Sequence, residues 1–510
     1  MNRSATSTTL SSRRRRPVAK VFKRRQSPQI GSSDFPAPAA HAQPQQEQKV
    51  ATDKEGQALE EGTLPRHESE KSAGRRASVY NHNGHKVTRG IQPEGESGRR
   101  GFHPWKFVKL CCKSSCTASM LTNFLWPFVI AAMVLHFNYK DHQLWIFVTA
   151  YLGMLPAANL IGFAGQELAR KLPTVLGVIL ETTFGSIVEI VVFMVLIKSP
   201  GEDNFTVIRA AILGSILANL LLCLGLCFFV GGIFHPQQSF DEAISEVGGN
   251  LMFVASCALV IPTIYYNSLS GNHDATVLED RSLQISRATA IVLLMAFSVY
   301  MFFQVRSHHG IYEDILHGDE QQDYDRDFDL KKEKLTFTES VVGVALGITF
   351  VTFMAIFLVQ QIEYIKDRGL SDSFIGLILI PVVEKAAEHL TAMDEAYDNQ
   401  MNFALAHVLG ASIQTALLNT PLVVLVAWGL GKPLSLNFEL FDAVLLILAV
   451  VVIGNFLRDG NSDYLEGSLS VFVYILIAVS AWYYPNPTSS TEPSSGNTVA
   501  ENAARWLVGG

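Results

Sequence analysis

The stretch Pro381-Val382-Val383-Glu384-Lys385-Ala386-Ala387-Glu388-His389-Leu390-Thr391 sets four ionisable side chains inside an otherwise apolar run. At helical spacing Glu384 and Glu388 lie one turn apart on one face, and Lys385 stands three residues before Glu388 and four before His389. An ionised group at the centre of a bilayer costs about 2.5–3.5 kcal/mol or more, so such residues face a bundle interior or a water-filled path and mark function. A further carboxylate, Glu189, sits mid-run in Thr183-Phe184-Gly185-Ser186-Ile187-Val188-Glu189.

Two carboxylates facing each other suit a hard divalent cation, because Ca²⁺ takes roughly six to eight oxygen ligands and needs negative charge to balance it. They suit protons as well, since desolvation and mutual repulsion favour the protonated form of a buried pair. One site that accepts a cation or protons, exposed in turn to each side of a membrane, performs antiport. Neighbouring oxygens are available from Thr182, Thr183, Ser186, Ser215, Asn219, Ser412 and Gln414, while Gly185, Gly214 and Gly410 permit close packing or exposed carbonyls. His389 either tunes or relays protons or packs as a helix hydrogen-bond partner. Glu181 and Glu384 lie nearer helix starts and read as interfacial as readily as site residues; His407, Asp394 and Glu395 read as interfacial. No second histidine stands at metalloprotease spacing from Glu388, so zinc hydrolysis has no support.

These residues require spanning helices to hold them. The chain has 510 residues, 48% of them apolar and 17% charged, with a positive mean hydropathy despite a polar N-terminal segment. From about residue 119 the apolar residues fall into runs of the length that crosses a hydrocarbon core as helix, so the expected class is an all-α polytopic membrane protein. Segments of alternating hydropathy that would build a membrane barrel are not seen. Eleven spans are predicted, near 119–137, 143–164, 173–197, 205–233, 246–269, 285–304, 337–360, 371–395, 401–428, 438–457 and 464–483.

The expected organisation is a basic cytosolic tail at 1–118, disordered to about residue 104, then the first span with a five-helix repeat at 119–304. An acidic cytosolic loop at 305–336, a second five-helix repeat at 337–483 and a luminal tail at 484–510 follow. Basic runs at Arg13–Arg16, Lys23–Arg25 and Arg75–Arg76 mark the cytosolic side rather than a nucleic-acid surface, and an odd number of spans puts the termini on opposite sides. Arg75-Arg76-Ala77-Ser78 reads as a kinase site or as solvated linker, so the tail is a candidate for regulators. The acidic loop gathers cations or simply solvates a linker, and its Asp323, Asp325, Asp327 and Asp329 lack the glycine and final glutamate of an EF-hand. Cys111, Cys112 and Cys116 precede the first span as unmodified or palmitoylated thiols; the other cysteines lie in apolar runs, and no disulfide framework is implied. Met1 is followed by Ser, Thr and Arg with no early apolar core, so no signal peptide is expected.

Setting aside the first span leaves five spans before the acidic loop and five after it. Glu189 is followed 25 residues later by Gly214 in Leu213-Gly214-Ser215-Ile216-Leu217-Ala218-Asn219, and Glu388 is followed 22 residues later by Gly410 in Leu409-Gly410-Ala411-Ser412-Ile413-Gln414. Five is odd, so the second copy enters the membrane inverted, and inverted repeats place a substrate site at their interface near the midplane.

The chain resembles the cation/proton exchanger (CAX) family, the vacuolar-type Ca²⁺/H⁺ antiporters of the Ca²⁺/cation antiporter superfamily, from about residue 119 to 483. The resemblance rests on Leu155-Pro156-Ala157-Ala158, Thr183-Phe184-Gly185 with Glu189, Leu213 to Leu217 with Asn219 to Leu222, Phe228 to Gly232, Ala386-Ala387-Glu388-His389, and Ser412-Ile413-Gln414 with Thr420-Pro421. It implies eleven spans with the first peripheral, and Ca²⁺ held by Glu189 and Glu388 with His389, Ser412 and Gln414 as near neighbours; Gly185, Ser186 and Ser215 join the candidate metal site from their place in the sequence. It also implies export of cytosolic Ca²⁺ into a vacuole driven by its proton gradient; by their place beside Glu388, and not by the resemblance, His389, Lys385 and Glu384 are the candidates for tuning or coupling the proton. Ca²⁺ and H⁺ are then cargo; no cofactor and no nucleic acid are expected, and the partners are membrane lipid and inorganic ions.

The departures fall at the site. Glu181 and Ser186 stand where the family's first motif carries Asn, and Glu384-Lys385 stands where its second carries Gly-Asn. An ammonium one turn from Glu388 is a built-in cation, attracted at about 4 Å by about 4 kcal/mol at an effective dielectric near 20. Against it, Glu181, Glu189, Glu384 and Glu388 still leave the region negative. Three readings remain open: a Ca²⁺/H⁺ antiporter with a modified site, a Na⁺ or K⁺/H⁺ exchanger, and a non-transporting regulatory homologue.

Overall fold

A computed structural model describes residues 81–485 except 82, 89, 115, 200–203, 271–273, 323–325 and 327–330. The basic runs, Ser78, Asp323, Asp325, Asp327, Asp329 and the tail from residue 486 therefore lie outside the described residues. Nine helices are long and apolar enough to cross a membrane among the described residues: α1 Ser119–Asn138, α2 Gln143–Ala169, α3 Thr174–Lys198, α4 Asn204–Phe234, α5 Glu242–Leu269, α6 Ala275–Ser307, α7 Phe337–Val359, α9 Met401–Gly429 and α11 Tyr464–Tyr483. Two more complete the eleven. The shorter α10, Leu440–Phe456, is apolar, and α8, residues 372–397, runs continuously through a π-helical turn into Ile380–Tyr397 and carries the charged residues that make it an unconventional span.

The expected span ends match these helices to within a few residues, except that α6 begins ten residues earlier than 285. Apolar side chains on α1 face outward: Ile130, Val134 and Phe137 are exposed, whereas α4 and α9 are largely buried. That distribution puts α1 at the periphery and α4 and α9 at the centre of two five-helix sets, α2–α6 and α7–α11. With an odd number of crossings in each set, the second is inverted relative to the first.

Close approach between the sets is made by glycines. A Cβ on Gly214 of α4 would run into the backbone of Leu377 in α8, and one on Gly376 would meet Ala210 and the Val207 carbonyl. Each central helix also carries a π-helical turn, Ala218–Cys223 in α4 and Thr415–Asn419 in α9. Such turns widen the helix and re-aim side chains, and they recur at functional sites. They begin four residues after Gly214 and five after Gly410 of the repeated Leu-Gly motif.

On one face the connections are laced together. The turn from α8 to α9 is held by Gln238, whose Nε2 donates to the Ala396 carbonyl (2.8 Å), and by Asp319, which accepts from the Asn402 amide (2.7 Å), the Asn402 side chain (2.8 Å) and the Phe403 amide (3.1 Å). Gln238–Ser239 (β1) pairs antiparallel with Asn461–Ser462 (β2), Gln238 opposite Ser462. Asp319 belongs to a helix, His309–Gln322, so the expected acidic loop is helical over this part and this acid is buried in a structural contact.

The N-terminal expectation needs correction. Residues 91–113 are not an unattached tail; they form a strap ending in the helix Pro104–Lys113. Lys171 donates to the Gly95 and Leu335 carbonyls (3.0 and 2.9 Å), and Arg99 pairs with fully buried Glu339 (3.2 Å) and donates to the Lys334 carbonyl. Backbone hydrogen bonds and two buried charges order the segment, which is why its polar composition misled. Cys116 is buried and its sulfur caps α1 by accepting from the Ser119 amide, burial pushes the Cys111 thiol up to about 12, and Cys112 is exposed.

Candidate cation site

Glu189 of α3 is fully buried. Its Oε2 accepts from Thr415 Oγ1 and Asn419 Nδ2, each at 2.9 Å, both on the π-helical turn of α9. The same oxygen lies 3.1 Å from Lys385 Nζ of α8, and that ammonium lies 3.4 Å from Glu388 Oε2. Lys385 is fully buried and bridges the two glutamates that the repeat pairs. Glu388 in turn rests on Gly185: a Cβ there would overlap its Oε1, so the glycine one turn before Glu189 is needed for the carboxylate to reach this position.

The remaining expected residues divide. Gln414 donates to Thr182 Oγ1 (2.7 Å) and accepts from Ser186 Oγ (3.1 Å), joining α3 to α9 beside Glu189. Ser215 is buried with no hydrogen-bond partner for its hydroxyl, whereas the Ser412 hydroxyl is spent on its own helix at the Val408 carbonyl (2.8 Å). His389 Nε2 is 3.2 Å from Asn219 Oδ1 of α4. Glu384, read as interfacial as readily as a site residue, is only 2% exposed and stands among Glu189, Lys385 and Glu388.

Thr415 and Asn419 were not anticipated. The repeat contained a signal for one of them: Asn219 follows Gly214 by five residues and Thr415 follows Gly410 by five. Asn219 reaches His389, the neighbour of Glu388, and Thr415 reaches Glu189, so the two halves exchange equivalent contacts.

Glu189 Oε1, both Glu384 oxygens and both Glu388 oxygens are buried without a hydrogen-bond partner. A buried acceptor left unmet costs about 1–3 kcal/mol, more when charged, and three carboxylates against one ammonium leave the cluster two negative charges in excess. Protons or cations must supply that difference. Among the described residues no three His, Cys, Asp or Glu side chains converge as a closed metal cage; the centre of the cluster is taken by the lysine.

Two cavities lead toward it. The inner one, about 40 Å³, is lined by Gly185, Asn219, Glu388 and His389, and has room for a few waters or a partly dehydrated ion. The outer one, about 210 Å³, opens on the face that carries the strap and the acidic helix. Glu181, Thr391 and His407 line both. His407 and Glu395, expected at the interface, are instead largely buried, with His407 Nδ1 2.8 Å from Glu395 and Nε2 3.5 Å from Glu181.

The family model described as sodium/calcium exchanger protein matches residues 142–306 and 339–483, so each matched stretch covers one five-helix set. Vacuolar cation/proton exchanger 2 of Oryza sativa subsp. japonica is 30% identical over 371 residues, 72% of this chain and 83% of the relative. The vacuolar calcium ion transporter of Schizosaccharomyces pombe is 30% identical over 341 residues, 67% of this chain and 79% of the relative. The solved structure of native YfkE superposes with a TM-score of 0.57 at 23% identity, covering 71% of this chain and 98% of that one, a likeness of fold.

Proposed function

The chain belongs to the sodium/calcium exchanger protein family and is a secondary transporter, not an enzyme, and from this we propose that it exchanges cytosolic Ca²⁺ for protons across the vacuolar membrane, with its N-terminus in the cytosol and its C-terminus in the lumen. The observation that carries the reading is that Glu189 and Glu388, from repeat-related α3 and α8, both reach one positive charge, the Lys385 ammonium, at 3.1 and 3.4 Å. A charge bridging two carboxylates at the repeat interface occupies the position a shared cation would take. The names of the rice and fission-yeast relatives support the ion and the organelle.

The chemistry follows from charge balance. With Lys385 in place, Glu189, Glu384 and Glu388 carry two uncompensated negative charges, which one divalent cation or two protons neutralise. Facing an acidic lumen the carboxylates take protons; facing the cytosol they lose them to an arriving cation. Alternating access converts that exclusivity into coupled exchange, since neither form can be left buried with the excess charge unpaired. The cation must move Lys385 aside or bind next to it through Glu388, Glu384, Ser215 and water.

Lys385 also favours a second reading, exchange of Na⁺ or K⁺ for protons, because an ammonium that stays in place leaves less charge for a divalent ion. In the third, the lysine locks the site and the protein regulates rather than transports. Purified protein in vesicles with an imposed pH gradient separates them. The first requires Ca²⁺ uptake that depends on Glu189 and Glu388, the second flux of Na⁺ or K⁺ but not Ca²⁺, and the third neither flux nor any cation-dependent thermal shift.

A further inference from the structure

The imidazole of His407 stands between carboxylates from two other helices: Glu395 Oε2 of α8 lies 2.8 Å from Nδ1, and Glu181 Oε2 of α3 lies 3.5 Å from Nε2. All three side chains are more than four-fifths buried. An ionised carboxylate only accepts, so Nδ1 carries a proton toward Glu395. A neutral ring would then turn the Nε2 lone pair toward the Glu181 carboxylate, and Nε2 has no other hydrogen-bond partner. A proton on Nε2 removes that conflict and gives each carboxylate a facing positive N–H. With both carboxylates ionised, that second ring proton completes the cluster.

Its place in the molecule gives the proton somewhere to go. Glu181 and His407 line the outer cavity and the inner cavity of Glu388 alike, forming the wall between them. His407 is faced by Glu181 from α3 and by Glu388 and Glu395 from α8, with Asp394 beside Glu395. The outer cavity adds Glu94, Arg170, Glu320, Arg326, Lys334 and Asp398. Acids alone face the ring itself, while toward the strap three acids and three bases balance.

We propose that Glu181, His407 and Glu395 form a proton-holding station at the mouth of the inner cavity, passing protons between the outer cavity and Glu388; the hand-over rests on the exchange function proposed above. In the transfer the Nε2–H bond breaks, its proton crosses water in the inner cavity and an O–H bond forms on Glu388, while the ring regains a proton from the outer cavity. No electrons change hands.

The test uses full-length protein in lipid nanodiscs carrying isotope-labelled histidine, with the His407 signal identified by its loss in His407→Gln. NMR should find this ring doubly protonated at neutral pH, and neutral at the same pH in both Glu181→Gln and Glu395→Gln. A neutral ring in the wild type overturns the station. In vesicles, His407→Gln should slow pH-driven exchange by about tenfold or more and alter its pH profile, with the KM for Ca²⁺ changed by less than about threefold. An unchanged rate and pH profile refutes the hand-over. Wild-type vesicles without any exchange would refute the function above, and the NMR result would still decide whether the station holds its proton.

Discussion

Replacing Lys385 by Asn removes the ammonium and keeps a side chain of polar character on α8. At 3.1 and 3.4 Å from Glu189 and Glu388, each attraction is worth about 5 kcal/mol at an effective dielectric near 20. A Ca²⁺ ion that enters the wild-type site must give most of that back by displacing the lysine. In the variant the carboxylates recover part of the lost charge by holding an extra proton, so only a fraction of the combined attraction appears as cation affinity. A quarter of it is about 2.5 kcal/mol, close to a hundredfold in Kd. Titration of purified Lys385→Asn with Ca²⁺, read by calorimetry in nanodiscs at fixed pH, should show that tightening. Proton release per bound ion should also rise, because the additional proton must leave. An affinity within about threefold of wild type would mean that Lys385 does not occupy the cation position, and the bridging argument would fall.

Gly185→Ala should push the Glu388 carboxylate off its seat, reducing pH-driven flux by about tenfold while the melting temperature moves by less than about 4 °C; unchanged flux would contradict the packing argument. Asn419→Leu removes a donor at 2.9 Å from buried Glu189, so thermal unfolding should report a loss of about 1–3 kcal/mol, with Thr415→Val giving a similar loss. Burial pushes the Glu96 carboxyl up, but the Thr88 and Gly98 amides and Lys171 more than offset it and hold it below the usual range. That depressed value makes its contribution to strap stability present above the ordinary glutamate value, about 4.3, and lost as pH falls through the lower folded value. Protection factors across 91–103, with the intrinsic pH dependence of exchange divided out, should fall over that acid range in wild type and show no such step in Glu96→Gln.

The spans were legible because uninterrupted apolar runs of bilayer length leave little choice of structure. The candidate site was legible through repetition: Glu189 and Glu388 precede matched Leu-Gly motifs, and the fold brings them to one ammonium. What the sequence withheld depends on helix rotation and on π-helical turns. Spacing places Lys385 near Glu388 on its own helix, but not against Glu189 on α3. The pairing of His407 with Glu181 and Glu395 needs the tilt of three helices, and near span ends these residues looked interfacial. Asn419 reaches Glu189 only because the turn Thr415–Asn419 widens α9. The strap packs apolar side chains only in its closing helix, where Phe107 and Leu110 are buried one turn apart; before that its order comes from Lys171 and Glu339, each buried far along the chain from the segment it holds.

The most direct test of the central claim is initial-rate Ca²⁺ uptake into proteoliposomes with an acid interior, compared for wild type, Glu189→Gln and Glu388→Gln, with proton efflux recorded in the same vesicles. The two-glutamate exchange account requires uptake coupled to proton efflux in wild type, collapsing with the pH gradient, and the loss of both fluxes in each variant. Coupled uptake that persists undiminished in either variant would contradict it.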